Sequence, residues 1–252
     1  MRNPGSPFPP NPTRSAKEIP GFPFSSYLER FSTESVRQAK NKAGLEQYTT
    51  PFSIIKKFFV FGPDLFNRSL LDLGCGVGAL SLSAILCGAK KVIGIDSDAN
   101  SLLLAAENSA RLAQDVEANI NRNDSGVQVS SATTGAILLE SCKSLSWIQA
   151  DIEFCSLKNF RKEVDLVLMN PPFGTKRMGI DFVFLRRALA IGCPVLSMHK
   201  NSGKIREDLT RICHDFGFRA KIGSPVNFPL FRSLPSHKKE KYAVAVCFLY
   251  AE

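Results

Sequence analysis

Leu166 to Lys176 read LVLMNPPFGTK: an apolar run ending in an amide, two prolines, an aromatic residue and Gly174. The prolines donate no backbone hydrogen bonds and hold the chain extended, so the strand end is rigid and tipped by Asn170. Methylation of a conjugated amine suits such a tip. The lone pair of an aryl or amide nitrogen is delocalised and weakly nucleophilic. Two acceptors aimed at its hydrogens favour tetrahedral geometry and localise that pair. The Asn170 side-chain oxygen and the Pro171 carbonyl can be those acceptors, with Pro171 and Pro172 fixing their aim. Phe173 offers a face on which a planar base can stack.

A methyl donor has its own signature upstream. LLDLGCGVGALS places Gly74, Gly76 and Gly78 on the turn between a strand and a helix, where glycine permits tight turns and close approach to a ligand. VIGIDSD puts Asp96 at the end of the next strand, within reach of both hydroxyls of a ribose. The loop reads G-C-G-V-G-A rather than the dinucleotide pattern G-x-G-x-x-G, and Asp72 lies beside it. A carboxylate there repels a pyrophosphate and welcomes the ammonium of a methionine moiety, which points to S-adenosylmethionine. Asp151, after IQA, either accepts from the adenine amino group or caps a turn.

The elements that must hold these residues alternate along the chain. SLLDLG, KVIGID, SWIQAD, VDLVLMN and PVLSMH are strand-like, and ALSLSAILCG, ANSLLLAAENSARLA, DFVFLRRALAIG and SGKIREDLTRICHDFG are helical. RAKIGSP and KYAVAVCFLYA close the series as two strands with no helix between them. The pattern predicts an α/β Rossmann-like single domain: a mostly parallel seven-stranded sheet, its last strand antiparallel, with helices on both faces. PFSIIKKFFVFG precedes it as a short amphipathic helix, and the stretch before that is helical in its middle. Residues 1–25 carry seven of the fifteen prolines and read as a disordered tail ahead of a domain spanning 26–252. The polar, weakly periodic segment at about 114–145 reads as an inserted loop.

Composition narrows the partners. No apolar run approaches bilayer-spanning length, so no membrane association is expected. The seven cysteines include no C-x-x-C pair, which argues for reduced thiols in a nuclear or cytoplasmic protein and against a metal site in this chain. The net charge of +9 suits an anionic partner such as nucleic acid. Lys176, Arg177, His199, Lys200, His237, Lys238 and Lys239, with Arg186 and Arg187 nearby, are the candidate RNA contacts. His199 could also cap a strand end.

The loop, the acid and NPPF together resemble the class I S-adenosylmethionine-dependent amino-methyltransferases. With LEQYTTP, GIDSDANSL, DFVFLRRAL, LSMHK and HKKEK in the same order, Gly44 to Ala251 resembles the eukaryotic small-subunit (18S) ribosomal RNA adenine-N6 methyltransferase family. That resemblance implies that Gln47, Tyr48 and Thr50 close over the cofactor and that Asp72, Gly74, Gly76, Asp96 and Asp151 bind it, with Gly78 in the turn. Asn170 to Phe173 would be the catalytic tetrad, Asn170 also bordering the cofactor. It further implies a small zinc-binding activator subunit, paired along a sheet edge and covering apolar surface, and a place of action in the nucleus, nucleolus or cytoplasm. The Pro-rich head, the 114–145 segment and the stretch between FP and HKK depart from the family pattern. Other amines, such as a release-factor glutamine or a DNA adenine, remain alternatives. So does an inactive scaffold, although Phe173, where glutamine-modifying relatives carry Tyr, and the intact motifs count against them.

Overall fold

The computed structural model describes residues 50–123, 136, 138–174, 177–231 and 241–252. The elements are α1 (Phe52–Phe61), β1 (Ser69–Leu73), α2 (Ala79–Leu86), β2 (Lys91–Asp96), α3 (Ala99–Asn123), β3 (Leu145–Gln149), β4 (Leu166–Met169), α4 (Ile180–Leu189), β5 (Val195–Lys200), α5 (Gly203–Asp215), β6 (Ala220–Ile222), β7 (Val226–Phe231) and β8 (Lys241–Ala251). One sheet takes the order β3-β2-β1-β4-β5-β8-β6, with β7 also paired to β8. β3, β2, β1, β4 and β5 run parallel, and β8 is antiparallel to β5, β6 and β7.

The central strands are buried on both faces, as parallel strands covered by helices must be. Along β1, Leu70 joins one apolar cluster while Leu71 and Leu73 join the other. The first cluster takes Ile54, Ile55, Phe58 and Phe59 of α1, Leu82 and Ile85 of α2 and Leu112 and Val116 of α3. The second takes Leu185 and Leu189 of α4 and Leu209 and Ile212 of α5. Phe58 and Phe61 of α1 also meet Phe248 of β8, at ring centroid distances of 5.4 and 5.9 Å. This contact fixes α1, and the residue just before it, across the β5–β8 side of the sheet.

Two expectations need correction. The sheet has eight strands, not seven: Val226–Phe231 forms β7, paired along its length to β8. Pro229 made this segment a poor strand by type, yet an edge strand tolerates a residue that cannot donate to the ladder. The polar segment also does not begin as a loop. α3 continues to Asn123, because Val116 follows Leu112 by one helical turn and is buried with it. Residues 138–143 are helical as well. The Pro-rich head lies outside the described residues.

Candidate active site

Strand register brings the two motifs together. Leu73 of β1 pairs with Met169 of β4, so Gly74 and Asn170 leave neighbouring strand ends side by side. The strand order reverses here, with β2 on one side of β1 and β4 on the other, which is where open α/β sheets hold ligands.

The glycine loop is built around backbone that L side chains rarely adopt. Gly74, Gly76 and Gly78 have φ of 74°, 53° and 86°. The Gly74 and Cys75 N–H groups donate to the Ile95 carbonyl at 2.8 and 3.1 Å, tying the loop to β2. Asn108 of α3 donates to the Val77 carbonyl at 3.0 Å from the other side. The glycines divide their work. A Cβ on Gly76 would meet open space, whereas one on Gly78 would stand 2.7 Å from the Trp147 ring. Gly76 therefore leaves room for a ligand, and Gly78, expected to border the cofactor, makes room for a protein side chain.

Three acids surround that loop. The Asp96 oxygens accept from the Gly76 N–H at 2.8 Å and the Asp98 N–H at 2.9 Å, leaving each oxygen a further lone pair for a ribose hydroxyl. Burial raises the Asp96 carboxyl above its ordinary range, and those backbone N–H groups oppose the rise. Asp72 is buried; Ser81 donates to its Oδ2 at 2.6 Å, and its Oδ1 has no partner among the described residues. Burial pushes its carboxyl up to about 7, with the Ser81 hydrogen bond opposing. Asp151 is exposed, and its Oδ1 accepts from the Glu153 N–H at 2.9 Å, the turn cap anticipated as one of its two roles.

The turn after β3 is clasped from the tetrad side. Arg187 of α4 donates to the carbonyls of Ile152, at 2.8 Å, and Cys155. Arg177, just past the tetrad, grips Glu153 with both terminal nitrogens, one of them at 2.9 Å. The turn bearing Asp151 and the loop bearing the tetrad are thus joined by two arginines. Arg187 serves this internal contact rather than RNA. Glu153 was not foreseen, since a lone Glu in a loop carries no signal of its partner.

At the tetrad, the Asn170 Nδ2 donates to the Thr50 hydroxyl at 2.8 Å. Its Oδ1 is buried and has no partner among the described residues. An acceptor so held costs about 1–3 kcal/mol unless a donor reaches it. Phe173 differs from expectation: it is 5% exposed and packs edge-on against Phe228 of β7, with centroids 5.4 Å apart. An apolar ring next to an apolar cluster buries itself, so Phe173 presents no open stacking face in this structure.

His199 also needs correction as an RNA contact. It is fully buried, with Nε2 3.0 Å from the Ser197 hydroxyl and Nδ1 3.3 Å from Asp181 Oδ2. It ties the start of α4 to β5 and so anchors the far end of the tetrad loop. Gln47, Tyr48, Lys176, His237, Lys238 and Lys239 lie outside the described residues. Lys200 ends β5, half-buried, on the catalytic side.

The arrangement fits an S-adenosyl group: free acceptors on Asp72, spare lone pairs on Asp96 and open space at Gly76 lie on one loop. Among the described residues no group of three His, Cys, Asp or Glu could hold a metal, and no helix is long and apolar enough to cross a membrane.

Comparison with known proteins agrees with this geometry. The profile of the ribosomal protein L11 methyltransferase (PrmA) family matches residues 54–138. The chain is 32% identical over 176 residues to the Methanocaldococcus jannaschii protein MJ0284, an uncharacterized protein, covering 69% of each. It is 28% identical over 189 residues to the Danio rerio rRNA N(6)-adenosine-methyltransferase METTL5, covering 74% of this chain and 76% of that one. Among solved structures, the Pyrococcus horikoshii protein PH1948 matches with TM-score 0.60 and 23% identity over 86% of this chain and 95% of that one. The precorrin-6y C5,15-methyltransferase of Geobacter metallireducens shares the fold at TM-score 0.53 and 10% identity, covering 84% of this chain and 94% of that one. Fold and site together are those of a Rossmann-like, S-adenosylmethionine-dependent methyltransferase. The chain belongs to the family that includes MJ0284.

Proposed function

We propose that this enzyme methylates N6 of an adenosine in ribosomal RNA, and that its target lies in the 18S RNA of the small subunit. The carrying observation is Asn170, whose unpartnered Oδ1 stands beside the glycine loop where an amine hydrogen would complete it. The likeness to the zebrafish METTL5, and to the Drosophila melanogaster enzyme of the same description at 26% identity over 210 residues, supports the choice of substrate. The bound cofactor supplies an electrophilic methyl group. Asn170 Oδ1 and the Pro171 carbonyl accept the two amine hydrogens and hold the nitrogen lone pair toward that methyl. The N–CH3 bond forms as the S–CH3 bond breaks, and the extra amine proton leaves to water. Cation-bearing surface near the tetrad, Lys200 included, would position RNA phosphate without reading sequence.

A small zinc-binding activator subunit is part of the proposal. β3 is an edge strand whose outer side faces no other strand among the described residues, and exposed Ile148 and Phe154 border it. Such an edge accepts an added strand. Work on ribosomal RNA would place the protein in the nucleolus, nucleus or cytoplasm.

A second reading, transfer to a protein amine, has one observation behind it, the PrmA profile. That match ends at residue 138, before the tetrad, and so covers the cofactor half alone. The test is mass spectrometry of nucleosides from ribosomal RNA incubated with enzyme, activator and labelled cofactor. N6-methyladenosine that depends on Asn170 is expected. Label in protein, with none in RNA, would overturn the substrate assignment.

A further inference from the structure

We infer that Thr50 is a positioning residue for Asn170, setting which end of the amide faces the substrate. An Asn side chain can serve the clamp only if its oxygen, not its nitrogen, meets the amine hydrogens. The Thr50 hydroxyl takes the nitrogen: Nδ2 donates to it at 2.8 Å, across 120 residues of sequence, and leaves Oδ1 unpartnered among the described residues. The inference rests on the amine-methylation reading and gives Thr50 a different task from the cofactor contact implied by the family resemblance.

Thr50 is itself held in place. It is 5% exposed and precedes Pro51, whose carbonyl accepts from the Ile54 and Ile55 N–H groups at 2.9 and 3.0 Å. Ile54, Ile55 and Phe58 of α1 lie in the same apolar cluster as Phe173 and Phe228. A helix that precedes every strand thereby reaches the tetrad through one hydroxyl. Valine at position 50 keeps the shape and loses that hydroxyl; serine keeps it.

The experiment compares the full chain with its Thr50→Val and Thr50→Ser variants, each with activator. Three quantities are read: the single-turnover rate of methyl transfer to ribosomal RNA, affinity for S-adenosylhomocysteine, and hydrogen exchange of the Asn170 side-chain amide by NMR. Thr50→Val should slow transfer by about tenfold or more, as loss of one oriented hydrogen bond in the transition state does. Its affinity for S-adenosylhomocysteine should stay within about twofold, and exchange protection of the Asn170 amide should be lost. Thr50→Ser should restore rate and protection together. A valine variant with wild-type rate and protection overturns the inference, as does one whose loss lies in cofactor affinity. If the wild-type enzyme transfers nothing to RNA, the substrate reading fails. The exchange measurement then decides the Thr50 assignment alone.

Discussion

Asp72 and Asn170 each keep a buried oxygen without a partner among the described residues, but they differ in what answers it. Asp72 answers to charge. Its folded value of about 7 lies above the ordinary 3.8, so between those pH values the folded chain holds a proton that the unfolded chain has lost. Stability from this group is therefore present at low pH and declines as pH rises toward 7, by on the order of 3 kcal/mol in all. Asp72→Asn should flatten that decline and raise the melting temperature of the ligand-free protein at pH 8, as calorimetry would show. An ammonium beside Asp72 favours its ionised form. Binding of S-adenosylhomocysteine at pH 6 should then release a proton, seen as buffer-dependent heat, that vanishes at pH 8.5 and in Asp72→Asn. Asn170 answers to the substrate: Asn170→Ala should lower single-turnover methylation by roughly a hundredfold or more and leave cofactor affinity nearly unchanged. Both residues were legible from type and position, because an acid beside a glycine turn and an amide before two prolines have few other uses. The roles of Phe173 and His199 were not legible. A ring buried on Phe228 and an imidazole between Ser197 and Asp181 depend on partners distant in sequence.

Elements explain why the site keeps its shape. Trp147 of β3 lies across Gly94 of β2 and Gly78 of the loop; a Cβ on Gly94 would come within 2.5 Å of the indole. Gly94→Ala should displace the ring and cost about 1–3 kcal/mol by overpacking. Trp147 is the single tryptophan, so its fluorescence spectrum checks the displacement without interference. An unshifted spectrum with unchanged stability would show that the indole is not packed there. The strand and helix alternation was readable over β1 to α5 because each element keeps one period long enough to register. It failed at α3, where polar residues on a solvent face obscured Val116, and at β7, where Pro229 interrupts six residues of otherwise strand-like type. In both places pairing or burial with distant residues outweighed local composition.

At the scale of the whole molecule, one edge stays open and the other is finished by the chain itself. β3 offers its outer side with Ile148 and Phe154 exposed, whereas β8 carries both β6 and β7 beyond β5. A partner strand on β3 should raise the melting temperature in a concentration-dependent way. An unchanged melting temperature with saturating activator would remove β3 from the interface. The finished edge has a different consequence, one of timing. β5 ends at Lys200, yet Val246 to Ala251, which complete its pairing, are made some fifty positions later. At ordinary translation speeds of about 5–20 residues per second, β5 stands as a temporary sheet edge for roughly 3–10 seconds in every nascent chain. A ribosome paused within that window displays an apolar strand, Val195 to Met198, that any passing strand can join. Synthesis is therefore the stage at which this protein is most exposed to misassembly, and chaperones that cover nascent strands would act on it there.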